Sequence, residues 1–321
     1  MSKVEVLLES DWAAAALVAD VRRGLGSQPR SLPPKWLYDA AGSELFDRIT
    51  RLEAYYPTEA ERAILAERAA EIAEDSGATT VVELGSGTSD KTRLLLDAFA
   101  DAGHLERFVP VDVSESTLRD AAAMLEARYP ETAIEAVVGD FTLHLGHLAR
   151  YDHKLVVFLG GTIGNLYVEE RAAFLGALSD SLSSGDALLL GTDLVKDADR
   201  LIGAYDDDEG VTEAFIKNGL LVLNRELGAD FEPEAFGYAP FWDSRLQRMD
   251  LRLRSEVPQR VRIPGADVEL DLAAGEEIRM EISTKFTRDR IAAELAASGL
   301  TVAEQWTDAA SDFLVTLATK D

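Results

Sequence analysis

The sequence lacks cysteine altogether, with none among its 321 residues. This absence excludes disulfide bonds, a thiolate nucleophile and a metal site with cysteine ligands. Long apolar runs are also missing, since none approaches the roughly 20 residues that a membrane-spanning helix needs. Residues 1–5 lack the basic and then apolar layout of a signal peptide. We therefore expect a cytoplasmic protein with no membrane partner.

Basic residues are scarce relative to acidic ones. Lys and Arg together number 32 against 58 Asp and Glu, which gives a formal net charge of −26. Nucleic acids are bound by clustered Lys and Arg, so this balance argues against a nucleic-acid partner. The acidic residues are expected to form a surface that keeps the protein soluble.

Histidine is rare as well, with four in the chain. His144 and His147 could share a helix face, but no nearby cysteine or carboxylate pattern completes a zinc site, so no metal is expected. The sequence has neither a G-x-S-x-G elbow nor a Walker loop, which leaves hydrolase and NTPase functions without support.

A regular alternation of helix and strand patterns is present in residues 61–196. Near-continuous apolar runs such as residues 155–159 are typical of parallel strands buried on both faces. The alternation stops at 197–286, where alternating polar and apolar segments predict antiparallel strands, and resumes at 287–321. We predict one α/β domain from 61–196 and 287–321, and a second, α+β domain from 1–60 and 197–286.

The most informative local feature is a glycine turn after the first strand of the α/β domain. Residues 81–89 read VVELGSGTS, which predicts a strand, a turn at Gly85 and Gly87, and a helix opening near Lys91. A nicotinamide fingerprint needs a third glycine where Asp90 stands. S-adenosylmethionine (SAM) enzymes tolerate that substitution, because no pyrophosphate has to lie on the helix N-terminus. The turn therefore favours SAM.

Acidic residues follow the next two strands. Asp112 ends the second strand, where a carboxylate can accept both ribose hydroxyls of an adenosine. The alternative for Asp112 is an ordinary solvated aspartate at a strand end. Asp140 and Phe141 follow the third strand, where SAM enzymes often bind the adenine amino group with a carboxylate and cover the ring. An Asp-Phe pair after a strand is common, so this second signal is weak by itself.

Two further polar groups could contact a substrate. Asn165 ends the string GGTIGN at the carboxyl end of the fourth strand, where ligands bind in such sheets. It offers a donor and an acceptor to a substrate, or it caps the helix that begins near Val168. Glu281 and Ser283 share one face of a predicted strand at 277–286. They could form a wet edge face, or they could bind a nitrogen heterocycle together.

Aromatic residues make up only 7% of the chain, yet several of them fall within residues 36–56. These are Trp36, Tyr38, Phe46, Tyr55 and Tyr56. Most such residues belong to a core. A site that handles a cationic ammonium would also use aromatic faces, so both interpretations stay open.

Several strings together resemble the histidine Nα-methyltransferases of ergothioneine biosynthesis in mycobacteria and related actinobacteria. The resemblance covers essentially the whole chain, and the strings are long, unusual and in the right order. They are SLPPKWLYD at 31–39, YYPT at 55–58, ELGSGTSDKT at 83–92, VFLGGTIGNL at 157–166, LGTDLVKD at 190–197, AYDD at 204–207 and EISTKF at 281–286.

This resemblance implies a Rossmann-like class I SAM-dependent methyltransferase domain with an inserted α+β substrate-binding domain. It implies transfer of three methyl groups from SAM to the α-amino group of L-histidine, which gives hercynine. The cofactor residues that it implies are Gly85, Lys91, Asp112, Asp140 and Phe141. The substrate residues that it implies are Tyr38, Tyr55, Asn165 and Tyr205 for the head group, Phe46 beside the substrate, and Glu281 and Ser283 for the imidazole.

Some points stay open at this level. Leu251 stands where a member of that family has methionine near the ring, which leaves the shape of the pocket undetermined. An Nα-methyltransferase for tryptophan or a related aromatic amino acid is one alternative, but it is expected to lack the carboxylate that Glu281 supplies. A dehydrogenase that uses NAD is another, and the missing third glycine disfavours it. A monomer is expected, and no acceptor for the amine proton is identified.

Overall fold

The computed structural model of the protein describes residues 3–87, 89 and 91–321. The chain divides into two compact units. The first unit comprises Met1–Glu9, Pro57–Val195 and Phe286–Asp321. The second unit comprises Ser10–Tyr56 and Lys196–Lys285.

Strands occur in both units. In chain order they are β1 Lys3–Val6, β2 Arg30–Ser31, β3 Thr80–Leu84, β4 Arg107–Asp112, β5 Ala133–Val138, β6 Lys154–Phe158, β7 Ala187–Asp193, β8 Phe236–Asp243, β9 Arg248–Ser255, β10 Gln259–Ile263, β11 Val268–Leu272, β12 Glu277–Thr284, β13 Leu300–Thr307 and β14 Phe313–Lys320. The α-helices are α1 Trp12–Gly24, α2 Ala40–Ile49, α3 Pro57–Ser76, α4 Thr92–Asp101, α5 Glu115–Arg128, α6 Val168–Ser181, α7 Ala198–Gly203, α8 Val211–Leu227 and α9 Arg288–Ala297.

The first unit contains a large open sheet with the strand order β1-β5-β4-β3-β6-β7-β14-β13. The strands from β1 to β7 in this order are parallel, whereas β14 is antiparallel to β7 and β13 is antiparallel to β14. The chain runs outward from β3 to β4 and β5, and then returns to the other side of β3 at β6. The boundary between β3 and β6 is therefore a topological switch point, beside which ligands bind in such sheets.

Strand β6 shows why this sheet is stable. All five of its residues are buried. Leu155 and Val157 pack into a core cluster with residues of α3, α4 and α5, while Val156 and Phe158 pack into another with residues of α6 and α9. Each such side chain contributes about 1.5–3 kcal/mol when it leaves water. Burial on both faces explains the unbroken apolar run in the sequence.

The second unit combines a small sheet with helices. Its sheet has the order β2-β12-β9-β8, and β10 pairs with β11 as a separate antiparallel hairpin. Helix α8 buries Phe215, Ile216, Leu220 and Leu223 against this unit's core. Their spacing places them on one face of the helix. The C-cap of the helix is Gly228, whose left-handed conformation lets its backbone N–H donate to the carbonyl of Leu223.

The alternation of helices and strands predicted for residues 61–196 and 287–321 is confirmed. Strand β1 is a difference, because it pairs in parallel with β5, from Lys3 opposite Glu135 to Val6 opposite Val138. The sequence assigns residues 1–60 to the other domain, since an edge strand whose partner lies over a hundred residues away has no local signature. The sequence also predicts neither helix α8 nor strand β8.

Candidate active site

The glycine turn after β3 lies at the carboxyl edge of the large sheet. Gly85 and Gly87 have φ angles of 67° and 48°, a region that glycine adopts without strain. The backbone N of Gly85 donates to the carbonyl of Val111 at 2.8 Å, which holds the turn against β4. A Cβ on Gly85 would lie 3.7 Å from the ring of Phe141, so this ring lies over the turn. Asp90, which distinguished two cofactors in the sequence, lies outside the described residues.

Asp112 is held at the end of β4 by two backbone amides. Its Oδ2 accepts a hydrogen bond from the backbone N of Gly87 at 3.0 Å, and its Oδ1 accepts one from the backbone N of Ser114 at 3.0 Å. Each carboxylate oxygen has a further lone pair. The carboxylate is thus fixed in orientation and keeps the capacity to accept two hydroxyl groups.

Asp140 and Phe141 lie after β5, next to the same edge. Asp140 is buried, and its Oδ1 accepts hydrogen bonds from the backbone N and the hydroxyl of Thr142 at 2.8 and 2.5 Å. The ring of Phe141 contacts Phe158 and Phe174 edge-on, with centroid distances of 5.2 and 6.0 Å. These contacts fix the plane of the ring that covers the glycine turn.

Lys91 is anchored by a buried carboxylate that the sequence does not single out. Glu61, on α3, is fully buried and accepts a hydrogen bond from the ammonium of Lys91. The backbone N of Gly160 donates to the same carboxylate, at 2.8 and 3.0 Å from its two oxygens. A buried carboxylate is tolerated when it is paired and hydrogen-bonded in this way. Glu61 therefore joins the segments that follow β3 and β6, across the switch point.

Glu83 stabilises the turn from inside the sheet. Its buried carboxyl group accepts hydrogen bonds from the hydroxyls of Ser89, at 2.7 Å, and Thr92. Burial raises the pKa of Glu83 to about 7, although these hydrogen bonds oppose the shift. The group connects β3, the glycine turn and the first turn of α4.

Asn165 lies in the first unit, in the 3-10 helix Thr162–Asn165 that follows β6. The N-cap of α6 is Tyr167, and the carboxylate of Glu170 accepts a hydrogen bond from its backbone N at 2.9 Å. The interpretation of Asn165 as a helix cap is therefore wrong. Its position at the carboxyl edge of the sheet keeps it a candidate for binding a substrate.

Four predicted substrate residues come together in the second unit through contacts between aromatic rings. The ring centroid of Phe46 lies 5.3 Å from Tyr38 and 6.3 Å from Tyr55, and Tyr55 lies 5.9 Å from Tyr205. Phe215 on α8 joins them, 5.1 Å from Tyr38 and 5.8 Å from Phe46. We call these five rings the aromatic cluster. Four of these five contacts are edge-to-face and the Phe46–Phe215 contact is tilted, and both arrangements are typical of stable aromatic packing.

Tyr38 is the exposed member of the aromatic cluster. It is 45% exposed, yet loss of water around its hydroxyl, followed by the charge of Glu281, raises its pKa well above the ordinary value. The neighbouring Tyr55 and Tyr205 also raise the pKa of Tyr38. Tyr38, Tyr55, Tyr205 and Glu281 therefore lie close enough to one another in this unit to interact electrostatically.

A buried hydrogen-bond network shares Tyr205 with the aromatic cluster, and we call its three residues the Ser283 network. The hydroxyl of Tyr205 donates to the Oγ of Ser283 at 2.9 Å. The ammonium of Lys285, which is fully buried, donates to Tyr205 at 2.7 Å and to Ser283 at 2.8 Å. The polar side chain of Ser283 is thus part of a buried network rather than a wet strand face.

Strand pairing places Leu251 beside the predicted imidazole residues. Leu251 on β9 lies opposite Glu281 on β12, and a β-bulge in β12 separates this pair from Arg279. Leu251 is buried in the core of the second unit. A change of side chain there would alter the packing around Glu281.

Glu61 and Lys285 are the main residues that the sequence analysis missed. Lys285 follows Ser283 by two positions, so the same alternation that pairs Glu281 with Ser283 could have included it. Glu61 had no such signal, because its partners lie 30 and 99 positions away.

Within residues 3–87, 89 and 91–321, no group of three or more His, Cys, Asp or Glu is placed to hold a metal ion. No helix in the same part of the chain combines the length and apolar character that crossing a bilayer requires.

The first unit has the fold of the class I SAM-dependent methyltransferases, with a glycine turn at the switch point and an aspartate at the end of the next strand. A family model described as "Histidine-specific methyltransferase, SAM-dependent" matches residues 17–320. The chain therefore belongs to the family of SAM-dependent, histidine-specific methyltransferases. This result confirms the predicted fold class, cofactor and family.

Individual relatives agree with the family match. The chain is 54% identical over 313 residues to a histidine N-alpha-methyltransferase of Mycolicibacterium smegmatis, and the match covers 98% of both chains. It is 52% identical over 313 residues to a protein of the same name from Mycobacterium tuberculosis, again over 98% of both. An ergothioneine biosynthesis protein 1 of Neurospora crassa is 36% identical over 206 residues, which cover 62% of this chain and 23% of that protein.

Proposed function

We propose that this protein transfers three methyl groups from SAM to the α-amino nitrogen of L-histidine, and that the product, hercynine, serves ergothioneine biosynthesis. The structural observation that carries the proposal is the position of Glu281 and the Ser283 network beside the aromatic cluster. This arrangement combines groups for an imidazole with rings for an ammonium. The names of the full-length relatives support the same substrate.

The first unit provides the SAM-binding residues. Asp112 accepts the ribose hydroxyls, Asp140 accepts the adenine amino group, and Phe141 covers the adenine. Gly85 leaves the backbone open to the cofactor, and Lys91, oriented by Glu61, pairs with the carboxylate of SAM. The fit rests on the fixed orientation of Asp112 and on the ring over the glycine turn.

The second unit provides most of the histidine-binding residues. Tyr38, Tyr55 and Tyr205 bind the head group of the amino acid, and Phe46 lies beside the substrate. Asn165, which belongs to the first unit, is a further residue proposed for the head group. Glu281 accepts a hydrogen bond from an imidazole N–H, and Ser283 contacts the other ring nitrogen. A site built around such polar groups discriminates strongly against side chains that lack their partners.

The chemistry requires few protein groups. SAM supplies a methyl group on a sulfonium sulfur, and an unprotonated amine must meet it in line with the methyl–sulfur bond. Positioning of the amine is therefore the main contribution of the protein. The aromatic cluster accommodates the positive charge that grows as methyl groups accumulate on the nitrogen.

The proposal is tested by incubating the purified protein with SAM and each common amino acid separately, followed by mass spectrometry. The expected result is the addition of one, two and three methyl groups to histidine alone. Methylation of tryptophan in preference to histidine, or no methylation of any amino acid, would overturn the proposal. A heat-denatured sample is the control for non-enzymatic transfer.

We infer further that the protein acts as a monomer in the cytoplasm. The absence of cysteine and the net charge of −26 favour this inference. Light scattering after size-exclusion chromatography tests the oligomeric state, and a mass of twice the 34.9 kDa chain would contradict it.

A further inference from the structure

Lys285 is a buried cation that the proposed reaction does not itself require. It is fully buried in the second unit, although an ammonium is among the groups most costly to remove from water. Its Nζ lies 2.7 Å from the Tyr205 hydroxyl and 2.8 Å from Ser283 Oγ. Because burying the ammonium of Lys285 is costly, we expect this residue to have a function in the site.

Lys285 fixes the direction of the hydrogen bonds in the Ser283 network. A lysine ammonium donates hydrogen bonds and accepts none. Ser283 Oγ accepts one hydrogen bond from Lys285 and one from Tyr205, which together use both of its lone pairs. The serine can then act toward a ligand only through its own O–H, as a donor.

We propose that Lys285 is a positioning residue that makes Ser283 an obligate donor and so selects a ring with an acceptor nitrogen. This inference rests on the proposed function. A neutral imidazole presents one N–H and one bare nitrogen. Glu281 accepts from the N–H, and Ser283 donates to the bare nitrogen. The ammonium of Lys285 also disfavours a second positive charge on the ring.

Two histidine analogues test the requirement for an acceptor nitrogen. In β-(pyrrol-2-yl)alanine and β-(pyrrol-3-yl)alanine, one ring N–H remains and the other nitrogen is replaced by C–H. The pair covers both orientations of the imidazole. In the wild-type protein, kcat/KM for histidine should exceed that for either analogue on the order of 100-fold, because Ser283 would be left with an unsatisfied donor. If the wild-type protein methylated either pyrrole analogue with the same kcat/KM as histidine, the inference would be overturned.

The role of Lys285 is tested by the same ratio in Lys285→Met and Lys285→Gln. Neither methionine nor glutamine compels the hydroxyls of Tyr205 and Ser283 to accept hydrogen bonds, as the ammonium does. The O–H of Ser283 can then donate to Tyr205, so that it is not left unsatisfied beside the pyrrole C–H. The ratio of kcat/KM for histidine to that for the better analogue should fall at least tenfold. General damage to the fold would lower both values together and leave the ratio unchanged, and that outcome would contradict the inference.

Lys154→Met is the matched control. Lys154 is also fully buried, but it pairs with Asp186 in the first unit, at the start of β6. This variant should lose stability and keep the wild-type ratio. If the wild-type protein adds no methyl group to histidine, the proposed function fails. If it methylates histidine but folded Lys285 variants keep the ratio, only the present inference fails.

Discussion

Buried carboxyl groups join separate segments of the chain around the glycine turn of the first unit. Glu61 and Glu83 are both buried, and each joins segments that are separate in the sequence. They differ in their partners, because Glu61 pairs with an ammonium whereas Glu83 accepts hydrogen bonds from two hydroxyls. Hydroxyl partners compensate less of the cost of burying a charge, which fits the raised pKa of Glu83.

Glu83 should make stability depend on pH. The folded protein keeps the Glu83 proton up to about pH 7, whereas the ordinary value for the group is 4.5. Between these values the folded state binds more protons than the unfolded state, so stability falls as pH rises. Relative to Glu83→Gln, wild type should lose about 2.5 kcal/mol of unfolding free energy between pH 5 and pH 8. Urea unfolding at both pH values measures this, and a constant difference between the two proteins would contradict it.

Glu281 should matter for histidine and not for SAM. The change Glu281→Gln removes a charged acceptor near the aromatic cluster, which is worth about 1.5–3 kcal/mol. Histidine affinity should therefore fall roughly 10- to 150-fold, while SAM affinity stays within about twofold. Isothermal titration calorimetry with each ligand measures both constants. Unchanged histidine affinity would remove Glu281 from the site.

Asp112 should show the opposite selectivity. The change Asp112→Ala removes the carboxylate proposed to bind ribose and frees the backbone N–H of Gly87. SAM affinity should fall on the order of 10- to 100-fold. Asp112→Asn keeps one carbonyl acceptor and should show a smaller loss. Normal SAM affinity in the alanine variant, measured by calorimetry, would rule out this role.

At the scale of elements, helix α2 depends on a cap that also reaches another helix. Asp39 Oδ1 accepts hydrogen bonds from the backbone N of Gly42 at 2.8 Å and from Asn218 of α8 at 2.7 Å. Helix α2 carries Phe46, and α8 carries Phe215. The cap therefore fixes both helices that present rings to the aromatic cluster.

The change Asp39→Ala should destabilise the second unit. Loss of the cap costs about 1 kcal/mol, and a buried Asn218 donor without this acceptor costs about 1–3 kcal/mol more. The expected loss in urea unfolding is therefore about 2–4 kcal/mol. Asp39→Asn keeps the capping oxygen and should lose less than half as much. Equal stability of the alanine variant and wild type would show that the cap is unimportant.

The sequence predicts elements well where burial leaves a local pattern. Strand β6 was predicted because burial on both faces gives an unbroken apolar run. Strand β8 lacks such a pattern and contains Pro240, which has no backbone donor. The structure places β8 at the edge of the small sheet, where a missing donor is tolerated. The buried residues of α8 recur with helical spacing in the sequence. The β-branched residues and Gly219 of the same segment disfavour a helix, and they obscure this spacing.

Short sequence strings predict which residues belong to the candidate site, whereas only the folded structure shows which of these residues lie next to one another. Tyr38 and Glu281 are 243 positions apart in the sequence numbering, yet the charge of one raises the pKa of the other. No local rule gives such a pairing. Glu61 and Lys285 illustrate the same limit, since the importance of each depends on partners that only the folded chain brings near.

At the scale of the whole molecule, the two units divide the proposed work. The first unit contains the glycine turn and the acidic residues near it, and the second contains the aromatic cluster and the Ser283 network. The net charge of −26 agrees with small-molecule ligands rather than a polyanion. The histidine Nα-methylation proposed above uses residues of both units.

The most direct test of this account is the position and number of methyl groups in the product made from L-histidine and SAM. Tandem mass spectrometry and NMR of the isolated product should place three methyl groups on the α-amino nitrogen and none on the imidazole. Omission of the protein is the control. Methyl groups on a ring nitrogen, or a product that stops at one methyl group with SAM in excess, would contradict the account.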